Sequence, residues 1–181
     1  MNTKRIEDAI AFALTAHDGQ TRKGEETPYI VHPVVVALIL AKHDFSDDVI
    51  IGGILHDVIE DTSVSKEDVA SKFGEEVAEL VTSVTHNGAH SWKEKKEKDI
   101  ASVRTASQDA KAIATADKIA NAQSLLNSHA VHGSAVWNRF NASREDKLWF
   151  EHTMLDMLED SWGHPLVGEY RALVEKLDAL V

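Results

Sequence analysis

Apolar residues recur along this chain at helical spacing almost throughout. Ile6, Ala9, Ile10, Ala13 and Leu14 share one helical face, and Thr3 stands where it can cap the first turn. The pattern breaks at Asp18 into a polar stretch that includes Gln20-Thr21-Arg22-Lys23, and resumes near Val31. Pro33 suits the first turn of a second helix over roughly 33–43. A third helix, capped by Ser46 or Asp47 and running over roughly 47–61, carries Ile50, Ile51, Ile54, Leu55, Val58 and Ile59 around most of its circumference. Such a helix belongs at the centre of a core. Gly52 and Gly53 inside it each cost about 1 kcal/mol relative to alanine, a cost that the close approach of a neighbouring helix explains.

Ser65 and Asp68 have capping-box spacing and open a short helix to Phe73, which Gly74 separates from another over roughly 75–85. The run Lys93 to Lys98 alternates in charge, pairs Glu94 with Lys98 at i,i+4, and reads as a solvated helix face. A helix over roughly 108–126, a looser connection over 129–141, a long helix from the cap Ser143 to about Ser161, and a last helix opened by Pro165 complete the chain. The pattern shows no strand, repeat or low-complexity tract. It predicts an all-α fold, a single domain over residues 1–181 built as a bundle of about eight to ten helices.

Composition narrows the chemistry. The 181 residues include no cysteine, so any metal must rest on His, Asp or Glu. A formal charge of -11 argues against a nucleic-acid binder, which needs a basic face. It is compatible with a small phosphorylated substrate, because a metal and a few cations can reverse the sign inside one pocket. The amino terminus leads straight into the amphipathic pattern, and no apolar run reaches membrane-spanning length. The expectation is a cytoplasmic protein with no membrane or nucleic-acid partner; the pattern leaves the oligomeric state open.

The strongest chemical signal lies on the third helix. His56, Asp57, Glu60 and Asp61 fall within about 140° of one face at about 100° per residue, among Ile54, Leu55, Val58 and Ile59. Three carboxylates crowded in apolar surroundings repel one another and lose hydration unless a cation compensates them. A solvent-exposed helix end is the plainer alternative, yet acidic residues near a carboxyl terminus oppose the helix dipole. His32, just before Pro33, and Asp117, alone among small residues in Ala114-Thr115-Ala116-Asp117, complete a mixed nitrogen and oxygen donor set. That set suits Mn, Fe, Co or Zn better than Ca.

The order His…His-Asp…Asp is the signature of the HD superfamily of metal-dependent phosphohydrolases. Thr15-Ala16-His17-Asp18-Gly19-Gln20-Thr21-Arg22-Lys23, Thr27-Pro28-Tyr29-Ile30-Val31-His32-Pro33, and Gly53-Ile54-Leu55-His56-Asp57-Val58-Ile59-Glu60-Asp61-Thr62 resemble one branch of it. That branch comprises the hydrolase domain of RelA/SpoT-type enzymes and the small stand-alone alarmone hydrolases. Ser91-Trp92-Lys93-Glu94-Lys95-Lys96 and Ala116-Asp117-Lys118 with Asn121 fit it as well.

The resemblance implies an all-helical, Mn²⁺-dependent enzyme that removes pyrophosphate from the 3′ position of guanosine 3′,5′-bis(diphosphate). It implies His32, His56, Asp57 and Asp117 as metal ligands, and Glu60 and Asp61 as the residues that handle the attacking water or the leaving group. Arg22, Lys23 and Asn121 would hold the nucleotide. Relatives commonly carry cations where this chain has Ala114 and Gln123. Two alternatives stand beside this reading: a phosphohydrolase acting on another nucleotide or phosphate ester, and a catalytically weak nucleotide-binding sensor. His17 matches the motif, although packing or hydrogen bonding at the end of the first helix accounts for it equally.

Overall fold

The structure, a computed structural model, describes residues 2–22, 26–85 and 91–180. Among them the chain forms α1 (Thr3–Ala16), α2 (Val31–Lys42), α3 (Asp47–Leu55), α4 (Val58–Asp61), α5 (Lys66–Phe73), α6 (Glu75–Val84), α7 (Trp92–Thr105), α8 (Gln108–His132), a 3-10 helix (Gly133–Arg139), α9 (Arg144–Ser161) and α10 (Pro165–Asp178). The described residues include no strand; a lone bridge joins Thr21 to Pro28. The fold is all-α, as the periodicity predicts. No helix among the described residues is long and apolar enough to cross a membrane.

One hydrophobic cluster draws side chains from all of these helices, from Ala9 to Leu177. At its centre is α3, where every residue from Val49 to Leu55 is buried. Helix α2 packs on one side of it, α6 and α8 on others. The glycines permit this closeness. A Cβ on Gly53 would lie 2.5 Å from Leu40 Cδ1, and one on Gly52 would lie 2.8 Å from Ile113 Cδ1.

Local signals account for most boundaries. Ser46 accepts from the Val49 amide, Ser65 and Asp68 form the full capping box, Ser143 accepts from the Asp146 amide, and Pro165 opens α10. Elsewhere the structure departs from the expected pattern. Asn2, not Thr3, caps α1, accepting from the Arg5 amide. Helix α2 begins at Val31, so Pro33 is its third residue and His32 lies inside the first turn; the missing proline N–H costs nothing there because the first four donors have no intrahelical partner. Helix α8 continues to His132 and a 3-10 helix follows it, where a looser connection was expected.

The expected helix over 47–61 is interrupted at His56 and Asp57, which separate α3 from α4. At this break His56 Nδ1 lies 2.8 Å from the Gly53 carbonyl oxygen, so an imidazole shares an acceptor of the last turn of α3. The interruption falls on the two residues that carry the strongest chemical signal.

Candidate metal centre

Three places in the fold supply one cluster. The first turn of α2 presents His32, the α3–α4 break presents His56 and Asp57, and the middle of α8 presents Asp117. His32 Nε2 lies 3.0 Å from Asp117 Oδ1 and 3.9 Å from Asp57 Oδ2. His56 Nε2 lies 2.9 Å from Asp57 Oδ2 and 3.8 Å from Asp117 Oδ1. Atoms bound at about 2.1 Å to one ion lie no more than about 4.2 Å apart, so all four of these separations fit a shared ion.

The chemistry of the donors fits as well. His56 Nδ1 donates to the Gly53 carbonyl oxygen, which leaves Nε2 as the free donor atom. That Nε2 is buried and, for all its closeness to Asp57, has no aligned hydrogen-bond partner. A ring nitrogen held by a backbone carbonyl, with the other aimed at a cluster of carboxylates, is the usual arrangement of a metal-ligating histidine.

The electrostatics show how strongly these groups depend on one another without an ion. Burial works to protonate Asp57, but His56 overrides it and takes the carboxyl down to about 2. Burial likewise opposes the charge on Asp117, yet Lys118, His32 and His56 hold it well below the usual carboxylate range. On the imidazole side, burial opposes charge on His56, while Asp57 and Asp117 push it up to about 9. Burial lowers His32. One ring is thus poised to carry a proton where an ion would otherwise sit.

A ring of partners orients these clustered side chains. Tyr29 donates its hydroxyl to Asp57 Oδ2 and lies 3.4 Å from Asp61 Oδ2. Asn121 Nδ2 donates to Asp117 Oδ1 at 2.6 Å, and Lys118 Nζ donates to Asp117 Oδ2 at 2.6 Å. Arg22 reaches across from the loop to donate to Asn121 Oδ1 at 3.1 Å. The cluster lines a cavity of about 210 Å³ that also exposes Glu60, Lys95 and Lys96.

Comparison with known proteins matches a family model described as "HD domain" over residues 9–147. The chain belongs to the HD-domain family. This HD domain is 45% identical over 94 residues to the bifunctional (p)ppGpp synthase/hydrolase SpoT of Escherichia coli K12, a match covering 52% of this chain and 13% of that protein. It is 44% identical over 96 residues to a guanosine-3′,5′-bis(diphosphate) 3′-pyrophosphohydrolase of Borreliella burgdorferi, covering 50% of this chain and 14% of that one. The matched region is therefore a small part of these relatives. Solved structures match at closer to full length. The Listeria monocytogenes EGD-e protein lmo0812 is 34% identical with a TM-score of 0.74, covering 81% of this chain and 97% of that one. A metazoan orthologue of SpoT, described as hydrolysing ppGpp, is 28% identical with a TM-score of 0.81, covering 95% and 94%.

Family and geometry together make this HD domain a binder of a divalent metal ion. Of the residues singled out in the sequence, the structure brings His32, His56, Asp57, Asp117, Glu60, Arg22 and Asn121 to one cavity. Lys23 lies outside the described residues. Asp61 is not on the cavity wall; its carboxylate sits beside the Tyr29 hydroxyl, and its carbonyl accepts from Gln20. His17 serves the same loop, with Nδ1 2.8 Å from Gln20 Oε1 and its ring against Tyr29.

Sequence reasoning missed four members of this HD domain's site. Tyr29 stood three residues before His32 without a role, and Lys118 stood beside Asp117. Lys95 and Lys96 belong to the run read as a solvated helix face. In the fold Lys95 pairs with Glu60 and Lys96 with Asp99, both on the cavity side of α7. Ala114 shares that wall, whereas Gln123 is turned to Asn127 at 3.0 Å and is absent from it.

Proposed function

We propose that residues 1–181 form one catalytic domain, a Mn²⁺-dependent hydrolase that removes the 3′-pyrophosphate of guanosine 3′,5′-bis(diphosphate). The observation that carries this reading is the convergence of His32, His56, Asp57 and Asp117 in a cavity that also holds Glu60 and several cations. The names of the relatives from Escherichia coli and Borreliella burgdorferi, and the described activity of the metazoan orthologue, support the choice of substrate.

His32, His56, Asp57 and Asp117 would hold the ion, which when bound lowers the pKa of water and neutralises developing phosphoryl charge. Glu60 stands on the cavity wall with its carboxylate anchored by Lys95. From there it takes a proton from the attacking water or gives one to the leaving oxygen. Asp61 acts through Tyr29, whose hydroxyl bridges towards Asp57. Burial, with the charges of Asp57 and Glu60 nearby, raises the pKa of Asp61, which makes it a stronger base than an exposed aspartate. Arg22, Lys96 and Lys118 supply positive charge to phosphate oxygens, Arg22 with the planar donor fork that such oxygens favour. Asn121 joins substrate to metal, since it touches both Arg22 and Asp117. The presence of Glu60 in the cavity favours turnover over a purely sensing role.

The test is incubation with Mn²⁺ and guanosine 3′,5′-bis(diphosphate), with products separated by chromatography. Pyrophosphate and guanosine 5′-diphosphate in equal amounts support the proposal, and no release from the 3′ position refutes it.

A further inference from the structure

Glu60 and Asp61 sit on α4, a helix of only four residues. A single turn carries the nucleation cost of a helix with almost none of its propagation, so it does not hold its own place. Whatever fixes this turn also fixes where the Glu60 carboxylate stands relative to the clustered His and Asp side chains. The Asp61 amide donates to the Asp57 carbonyl at 2.9 Å, and Thr62 Oγ1 donates back to the Val58 carbonyl at 2.6 Å. Both bonds are local to the turn. Lys95 holds Glu60 from α7, but its own side chain is partly exposed.

The tie to the loop between α1 and α2 is Gln20. Its Nε2 donates to the Asp61 carbonyl at 2.9 Å, one of the last acceptors that a helix leaves without an intrahelical partner. A carbonyl only accepts, so the Gln20 amide presents Nε2 to Asp61 and Oε1 to His17. His17 Nδ1, 2.8 Å from that oxygen, therefore carries the proton and donates it. The His17 ring is buried and packs against Tyr29 with centroids 4.6 Å apart. Gln20 is thus braced at both ends of its amide, an ordering that costs a long side chain its rotamer freedom.

The backbone of Gln20 belongs to the same doubled-back loop that carries Arg22 and Tyr29. The Gln20 carbonyl accepts from the Tyr29 amide at 3.0 Å, the Arg22 amide donates to the Thr27 carbonyl at 2.9 Å, and Thr21 bridges to Pro28. One residue therefore joins this loop by its main chain and the turn of Glu60 by its side chain. Gln20 is not on the wall of the metal cavity. Any part it has in the chemistry is exerted through its neighbours.

We infer that Gln20 is a positioning residue that couples the loop carrying Arg22 to the turn carrying Glu60, so that a substrate gripped by the loop meets the carboxylate in register. The effect on turnover rests on the proposed hydrolase reading; the effect on the turn does not. The competing explanation is that Gln20 only stabilises the loop. Its loss would then lower the melting temperature and leave both the turn and the chemical step unchanged.

The experiment uses the Mn²⁺-loaded protein and Gln20→Met, which keeps the length of the side chain and loses both polar ends. Gln20→Asn, too short to reach the Asp61 carbonyl, is the second variant should the first fail to fold. Hydrogen exchange read by mass spectrometry quickens over residues 58–62 by about three- to tenfold, the worth of one ordinary hydrogen bond, and is unchanged in α10. With guanosine 3′,5′-bis(diphosphate), kcat falls by about three- to tenfold while KM is unchanged. A KM that rises with kcat intact makes Gln20 a substrate contact and overturns the inference. Parental kcat in an active protein overturns it too, as does parental exchange over residues 58–62 whatever the melting temperature. If the parent leaves this substrate uncleaved, the hydrolase reading fails, and the exchange comparison by itself upholds or sinks the coupling.

Discussion

Asp117 accepts from both Asn121 and Lys118 while facing His32, and Asp57 accepts from Tyr29 while facing His56. The proposed ligands are thus aimed by neighbours as well as by the backbone. Removing a ligand and removing its support should differ in degree. His56→Ala or Asp57→Ala should abolish stoichiometric Mn²⁺ binding, whereas Asn121→Ala should weaken it by about 10–100-fold, as loss of an outer partner usually does; elemental analysis and calorimetry distinguish the two. Metal affinity should also depend on pH. His56 has a pKa of about 9 without an ion, so below that value it carries a proton that the ion must displace. Affinity should therefore rise with pH by up to about tenfold per unit until about pH 9, then level; a flat profile between neutral pH and pH 9 would show that His56 gives up no proton. Glu60 stands on the cavity wall paired with Lys95, so Glu60→Gln should keep the metal yet reduce turnover by about 10²–10⁴-fold. Single-turnover rates beside metal content decide this, and near-parental turnover removes Glu60 from the mechanism.

At the scale of elements, α3 is both the centre of the core and the support for the metal site. Gly53→Ala places a methyl group against Leu40, and an overpacked core commonly loses about 1–3 kcal/mol. The expected result is a lower melting temperature with Mn²⁺ still bound; an unchanged melting temperature would mean that α2 has room to move away. The two glycines were legible in the sequence because a helix keeps such residues at a cost. The break after them was not, since periodicity reports side-chain faces and not contacts with the backbone such as that of the His56 ring with the Gly53 carbonyl. The length of α8 escaped for a related reason. Its apolar stripe fades after Leu126, but no helix breaker follows until Gly133, which takes a φ of 58°. The clustering side chains were readable because His56 and Asp57 lie together beside one apolar element. Tyr29, Lys95 and Lys96 became visible only when a loop and α7 closed over that element.

For the whole molecule, the sequence carries a net charge of -11 and the fold shows where that sign is reversed. Net charge alone gives no reason to expect a phosphate-rich substrate, yet the metal cavity and the cavity that adjoins it gather cations from the first loop, α7, α8, the 3-10 helix and α9. One consequence is dependence on ionic strength. If these cations hold the substrate, KM should rise with salt while kcat changes little, because screening weakens the partly exposed charges on which binding relies. The most direct test of the account is a panel of nucleotides and simple phosphate esters incubated with the Mn²⁺-loaded protein, followed by chromatographic identification of every product. The account requires pyrophosphate and guanosine 5′-diphosphate from guanosine 3′,5′-bis(diphosphate), with no free phosphate formed first. Release of single phosphates from monoesters, with the 3′-pyrophosphate left intact, would contradict it.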